Sequence, residues 1–319
     1  MKYLTKLNTF IILLWVILYL PAISISADTD LSVAPSRIIL FISKNIRPYI
    51  EAAEGMRDVL GESSGVAVEV FNLDKMGMKA SEDLAKDLIQ EKNISLFAAI
   101  GPEAAAFIWG SFHNEFPPKI YSVILNPEKV IGQGSGLCGI ALNIPAQIQL
   151  KMIHNAFDSV KRIGIFYDPS NNERFCLEAI ESASNMGVTI VPLQVSAMKD
   201  IPFLLEEALK SVDCIWLIPD KTVISESITQ YIIKQAVIKR IPVVGYNQFF
   251  YESGAAMSFV FDYGALGRQA GELAGELVSQ HIPCESQVPV FQVWLNGGVI
   301  EKLGITITET LTSPMKMGP

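Results

Sequence analysis

Asp220 closes the apolar run Cys214 to Pro219, so its carboxylate is expected to face a cleft, where it could pair with a ligand amine. Lys221 beside it carries the opposite sign. Tyr246, Phe249, Phe250 and Tyr251 place four rings within six residues after another apolar run, a platform for an apolar or aromatic ligand. Ser43, Gly101, Asn126, Ser170, Asn171 and Asn247 stand at comparable places, just past apolar runs, with hydrogen-bonding side chains or open backbone to offer. Asp168, Ser170 and Asn171 are also the residue types that cap helices. Groups of this kind hold a ligand; breaking bonds needs an activated nucleophile or base.

Such activation has little support. His113, His154 and His281 are scattered, with no second histidine at metal-ligand spacing, and no serine stands in a nucleophile elbow. Neither a metal nor an enzymatic activity is expected. Gly134, Gly136 and Gly139 match G-x-G-x-x-G, but they precede the apolar run Ile140 to Ile144 instead of following a strand and opening a helix. A dinucleotide is therefore not expected, nor any other cofactor. Cys138, Cys176, Cys214 and Cys284 form no C-x-x-C, and three complete pairings or buried free thiols all remain open. With 33 acidic against 25 basic side chains and a net charge of −8, nucleic acid is a poor partner.

The elements that must position these groups follow from periodicity. From Arg37 onward, short β-branched runs alternate with amphipathic stretches of helical length, the pattern of parallel sheets covered by helices. Strands are expected at 38–42, 66–71, 96–100 and 120–125, with helices at 48–60, at 81–92 and after Gly101-Pro102. A second cycle places helices at 146–157, 172–186, 201–210 and 223–239 among strands at 162–167, 189–194, 214–218 and 243–244. In open sheets of this kind ligands bind past the carboxyl ends of the strands, where the candidate residues lie. The segments 257–261, 265–280 and 289–295 are too small for a third domain and most simply cross back between two lobes. Lobe 1 is expected over 37–142 plus 262–288, lobe 2 over 143–261 plus 289–311, and 312–319 as a C-terminal tail.

The first residues read as an address. Met1 to Lys6 is basic, Phe10 to Leu20 is unbroken apolar, and Pro21 leads into the small residues Ala22 to Ala27. This is the layout of a secretory signal, with cleavage expected near Ala27 and a periplasmic product. An eleven-residue core is too short to span ~30 Å of hydrocarbon at ~1.5 Å per residue, and Pro21 disfavours the alternative of a retained anchor. Losing Lys2 and Lys6 would deepen the net charge of −8 by two.

Several stretches carry a family likeness: 138–145 (Cys-Gly-Ile-Ala-Leu-Asn-Ile-Pro), 160–170, 212–220, 241–245, and above all 261–271 (Phe-Asp-Tyr-Gly-Ala-Leu-Gly-Arg-Gln-Ala-Gly) and 302–306 (Lys-Leu-Gly-Ile-Thr). The chain resembles exported ABC-transporter substrate-binding proteins related to the tryptophan and aromatic amino-acid binders. That resemblance implies an α/β architecture of two Rossmann-like lobes with parallel sheets, joined by a three-crossover hinge near Asn143, Pro145, Asp262 and Tyr263. It implies a monomer that closes on a small organic solute and meets ABC permease subunits in the membrane. A sensory module passing its closed state to a receptor kinase is the alternative. The sequence departs from the family pattern at Gly101, where a small hydroxyl residue is usual, at Leu125-Asn126-Pro127 in place of Thr-Asp-Pro, and at Tyr246-Asn247 in place of a Ser-Asp-like pair. Asp220 is retained.

Overall fold

The computed structural model describes residues 36–61, 66–113, 117–132, 137–280, 284, 286–307 and 313–319. The expected signal through Ala27 lies outside the described residues, as do Gly134, Gly136 and His281. Among the described residues no helix is long and apolar enough to cross a membrane.

The first lobe runs β1 (Ser36–Ile42), α1 (Arg47–Gly61), β2 (Val66–Asn72), α2 (Leu73–Met76), α3 (Met78–Gln90), β3 (Ile94–Ile100), α4 (Pro102–Ser111), β4 (Lys119–Ile124), α5 (Pro127–Ile131) and β5 (Gly139–Ala141). Its strands form one parallel sheet in the order β2-β1-β3-β4-β5. Residues 38–42 and 96–100 are buried without interruption, as strands covered on both faces must be, which explains why they read as solid apolar runs.

The second lobe runs α6 (Ala146–Ala156), β6 (Arg162–Tyr167), α7 (Pro169–Ser184), β7 (Thr189–Gln194), α8 (Ile201–Ala208), β8 (Cys214–Leu217), α9 (Glu226–Ile238), β9 (Val243–Gly245), α10 (Gln248–Glu252) and β10 (Met257–Val260). The chain then forms α11 (Tyr263–Gln280), β11 (Gln292–Leu295), α12 (Gly297–Leu303) and β12 (Met315–Met317). The second sheet has the order β12-β11-β10-β9-β8-β6-β7, parallel except where β11 runs against β10.

The chain passes between the lobes three times, at the end of β5, after β10 and between α11 and β11. After the second passage α11 lies on α1, burying Leu266, Ala270, Leu273 and Ala274 with Ala52, Met56 and Leu60. The two helices approach so closely that a Cβ on Gly267 would meet the Ala52 carbonyl, so only glycine fits there. Cys138, just before β5, is disulfide-bonded to Cys284, beyond α11, closing a span of 146 residues; Cys176 and Cys214 are buried free thiols.

Two sequence expectations need correcting. Residues 315–317 are not tail but the edge strand of the second sheet, paired with Val293, Trp294 and Leu295. A three-residue strand carries too little alternation to be read locally, and its partner is distant in sequence. The helix expected from 172 starts at Pro169, because the Asp168 side chain accepts from Ser170 N and caps it; Asn172 then breaks helical geometry inside it.

Candidate functional site

Between the lobes lies a cavity of about 570 Å³. Its lobe 1 wall is the turn after β4. Val123, inside β4 at the register shift between Ser122 and Ile124, and Asn126, in the turn itself, both have positive φ, 57° and 52°. Asparagine tolerates the left-handed region, whereas a β-branched valine does not, so the turn is held by its surroundings. What holds it is visible at Asn126. Its backbone N donates to Asn143 Oδ1 at 2.8 Å, and Asn143 Nδ2 donates to Asn126 Oδ1 at 2.7 Å, tying the turn to the first crossover.

The lobe 2 wall is the first half of α7. Past the break at Asn172, Arg174, Phe175 and Glu178 line the cavity at helical spacing, one stripe of a single face, and Asn171 lines it from the capping turn before the break. Behind Phe175 sits the fully buried Trp216, the rings edge-to-face at 5.4 Å. Gln149 is buried at the cavity floor, donating through Nε2 to the Ile144 carbonyl at 2.7 Å and accepting from Trp216 Nε1 at 3.3 Å. Tyr246, Phe261 and Tyr263 complete an aromatic lining. Burial pushes the Tyr246 phenol up to about 12, and burial also raises that of Tyr263, so both hydroxyls stay protonated donors at neutral pH. Across the mouth, Lys129 Nζ from lobe 1 donates to the Asn171 carbonyl of lobe 2 at 2.8 Å.

Of the residues singled out from sequence, Asn126, Asn171, Tyr246 and Asn247 line this cavity, with Asn143, Pro145 and Tyr263 from the crossovers. Asp262 caps α11, its Oδ1 accepting from Ala265 N at 2.9 Å. It lines a second groove of about 690 Å³, which shares Asn247, Phe261 and Tyr263 with the first and is otherwise rich in charge, Arg47, Glu51 and Asp58 among them.

Five residues lie off the cavity lining. Asp220 is only 3% exposed. Its Oδ2 accepts from Asp168 N at 2.8 Å and Asn172 Nδ2 at 2.7 Å, and its Oδ1 from Thr222 N at 2.9 Å and Val223 N at 3.3 Å. The carboxylate is thus aimed at its own lobe and stitches the loops after β6 and β8 together. Phe250 is fully buried in the lobe 2 core beneath Tyr246, at 4.7 Å between ring centroids. Ser43 is buried with its Oγ accepting from Ala104 N at 2.9 Å, at the start of α4. Gly101 has φ 90°, and a Cβ on it would meet the side chains of Ser43 and Tyr49, so the pair forms a packed turn. Ser170 donates through N and Oγ to Asp168 Oδ1 as part of the α7 cap. Hydrogen bonds from the Ser170 and Thr222 side chains hold the Asp168 carboxyl below its usual range.

Lys129, Gln149, Arg174, Phe175 and Phe261 line the cavity without having been singled out. The 174/175/178 periodicity is legible in sequence once α7 is known to point that face at the cleft. For Gln149 and Phe261 no local signal exists.

Two α/β lobes, a cleft past the strand ends and three crossings between them define a periplasmic-binding-protein fold of type I. The solved structures agree. A ligand-free, open substrate binding protein with adhesive properties from Clostridium difficile matches with TM-score 0.71 and 16% identity, over 89% of this chain and all of that one. A Streptococcus pneumonia ABC domain in complex with L-Trp matches with TM-score 0.55 and 22% identity, over 85% and 96%. The ABC transporter substrate binding protein family model matches residues 92–316, and the chain belongs to that family. A curated relative, the tyrosine-binding protein of Clostridioides difficile (strain R20291), is 20% identical over 246 residues, 74% of this chain and 69% of that protein.

Proposed function

We propose that this chain is an exported solute-binding protein that captures a small organic molecule in the interlobe cavity and hands its closed form to an ABC permease. The observation that carries this reading is the cavity itself. About 570 Å³ suits a molecule of amino-acid size or somewhat larger, and its walls come from both lobes and two crossovers. A ligand touching both lobes stabilises the closed arrangement selectively, and that difference in affinity drives the hinge. Phe175, Tyr246, Phe261 and Tyr263 favour an apolar or aromatic body. The amino-acid ligands named for the pneumococcal structure and the clostridial relative are compatible with it.

A thermal-shift screen over amino acids, aromatic acids, purines and sugars tests the reading, since a specific ligand raises the melting temperature once its concentration exceeds the dissociation constant. The expected hit also compacts the protein in solution scattering. A melting curve indifferent to every class removes the reading.

A further inference from the structure

We propose that Lys129 is a latch: by donating across the mouth to the Asn171 carbonyl it favours the joined arrangement of the lobes, and so sets the affinity for every solute without touching any of them. The inference rests on the solute-capture reading and adds a positioning residue to that site.

Both ends of the latch are braced. On the lobe 1 side Lys129 N donates to the Asn126 carbonyl at 2.9 Å, and Asn126 exchanges two hydrogen bonds with Asn143. Leu142 N donates to the Ile124 carbonyl at 2.8 Å. The turn before α5 is thereby fixed to the first crossover, and the lysine reaches over the cleft from a base that belongs to the hinge. On the lobe 2 side Asn171 N donates to the Asp168 carbonyl at 2.9 Å and Asn171 Nδ2 to Asp168 Oδ2 at 3.3 Å. Asp168 is held in turn by Thr222 Oγ1, 2.6 Å from its Oδ2, and by its own N donating to Asp220. Helical geometry fails at the next residue, Asn172, with φ −135°, and the Asn171 carbonyl at this interruption accepts from outside the helix.

The Lys129 ammonium is not engaged elsewhere. Among the described residues it takes part in no ion pair. Donor and acceptor are both the protein's own, so the bond depends on how the lobes stand and not on which solute lies between them. It is also weak, because the contact is exposed to solvent and an ammonium at the first turn of a helix meets the positive end of the dipole. Weakness suits a latch, since a strong bond would hold the cleft against entry. A solute gripped by both lobes needs the joined arrangement, so its apparent affinity scales with the population of that arrangement. Every solute then gains the same factor, about two- to fivefold for an exposed pair of this kind. A lysine that touched the solute would act differently, because its loss would weaken anions and spare cations.

The test uses the full mature protein and the variants Lys129→Met, which removes the ammonium and keeps an apolar stem, and Lys129→Arg, which restores a charged donor. Spin labels on Met78→Cys in lobe 1 and Phe203→Cys in lobe 2, where the native side chains are 81% and 69% exposed, report the interlobe distance by pulsed EPR. The free thiols Cys176 and Cys214 are buried and stay unlabelled. Without solute, Lys129→Met is expected to shift the balance from shorter to longer distances by about two- to fivefold, and Lys129→Arg to recover the parent's distribution. All three proteins should melt within ~2 °C of one another. Calorimetric titration with L-tyrosine, 4-hydroxyphenylpropionate and tyramine, a zwitterion, an anion and a cation, should show the same fold loss in Lys129→Met for each probe that binds, and its recovery in Lys129→Arg. A loss confined to the anion overturns the latch and makes Lys129 a ligand contact. Distances that do not move in a protein that binds solute overturn the latch alone. A screen without any hit overturns solute capture and the affinity role with it.

Discussion

Replacing Asp220 with asparagine separates a ligand contact from an internal brace. Asparagine keeps the shape, so no cavity opens, but one of its two terminal atoms becomes an NH2. Each carboxylate oxygen now accepts two hydrogen bonds, so either orientation of the amide points donors at two donors. A hydrogen bond to a charged group contributes about 1.5–3 kcal/mol net, so losing two costs roughly 3–6 kcal/mol. For a protein of this size each kcal/mol moves the midpoint by ~2 °C or somewhat more, and the variant should melt roughly 10 °C lower by calorimetry. Ligand affinity should change only modestly, through loosening of Asn172 and Asp168, and equally for solutes with and without an amine. A variant that melts within ~2 °C of the parent yet loses amine-bearing solutes selectively would refute this reasoning and return the carboxylate to the ligand.

Replacing Cys138 and Cys284 together with serine opens a loop of 146 residues. Chain entropy sets a ceiling of ~5 kcal/mol on the loss, and calorimetry with and without reductant should show the parent converging on the variant. Phe175→Ala should cost about 1–2 kcal/mol of stability through the lost edge-to-face contact with Trp216, change the Trp216 emission, and weaken aromatic solutes more than aliphatic ones; equal weakening of both removes Phe175 from the ligand wall. Burial raises the Tyr246 and Tyr263 phenols, so the folded protein keeps those protons where an unfolded phenol, near pKa ~10, has lost them. Their contribution is therefore intact below about pH 10 and declines at higher pH, for Tyr246 as pH rises towards about 12. Absorbance titration of Tyr246→Phe and Tyr263→Phe against the parent should remove the late-ionising signal.

The relation between sequence and structure divides along the range of the interactions. The strand at 162–167 and the burial of residues 38–42 were readable because burial on two sheet faces writes itself into consecutive apolar residues, and the edge strand at 189–194 was readable from its shorter, alternating run. The class of site was readable too, since parallel strands place their carboxyl ends and the following loops at one rim. Direction was not. Whether Asp220 faces the cleft or its own lobe depends on Asp168 and Asn172, 52 and 48 residues away, and a carboxylate in one sequence looks the same either way. The Cys138–Cys284 bond, the β12 edge strand and the Lys129 contact to Asn171 are likewise agreements between distant segments. Periodicity is a local consequence of backbone geometry and can be read in order along the chain; which polar group satisfies which is settled only when the lobes pack and every buried donor and acceptor must find a partner.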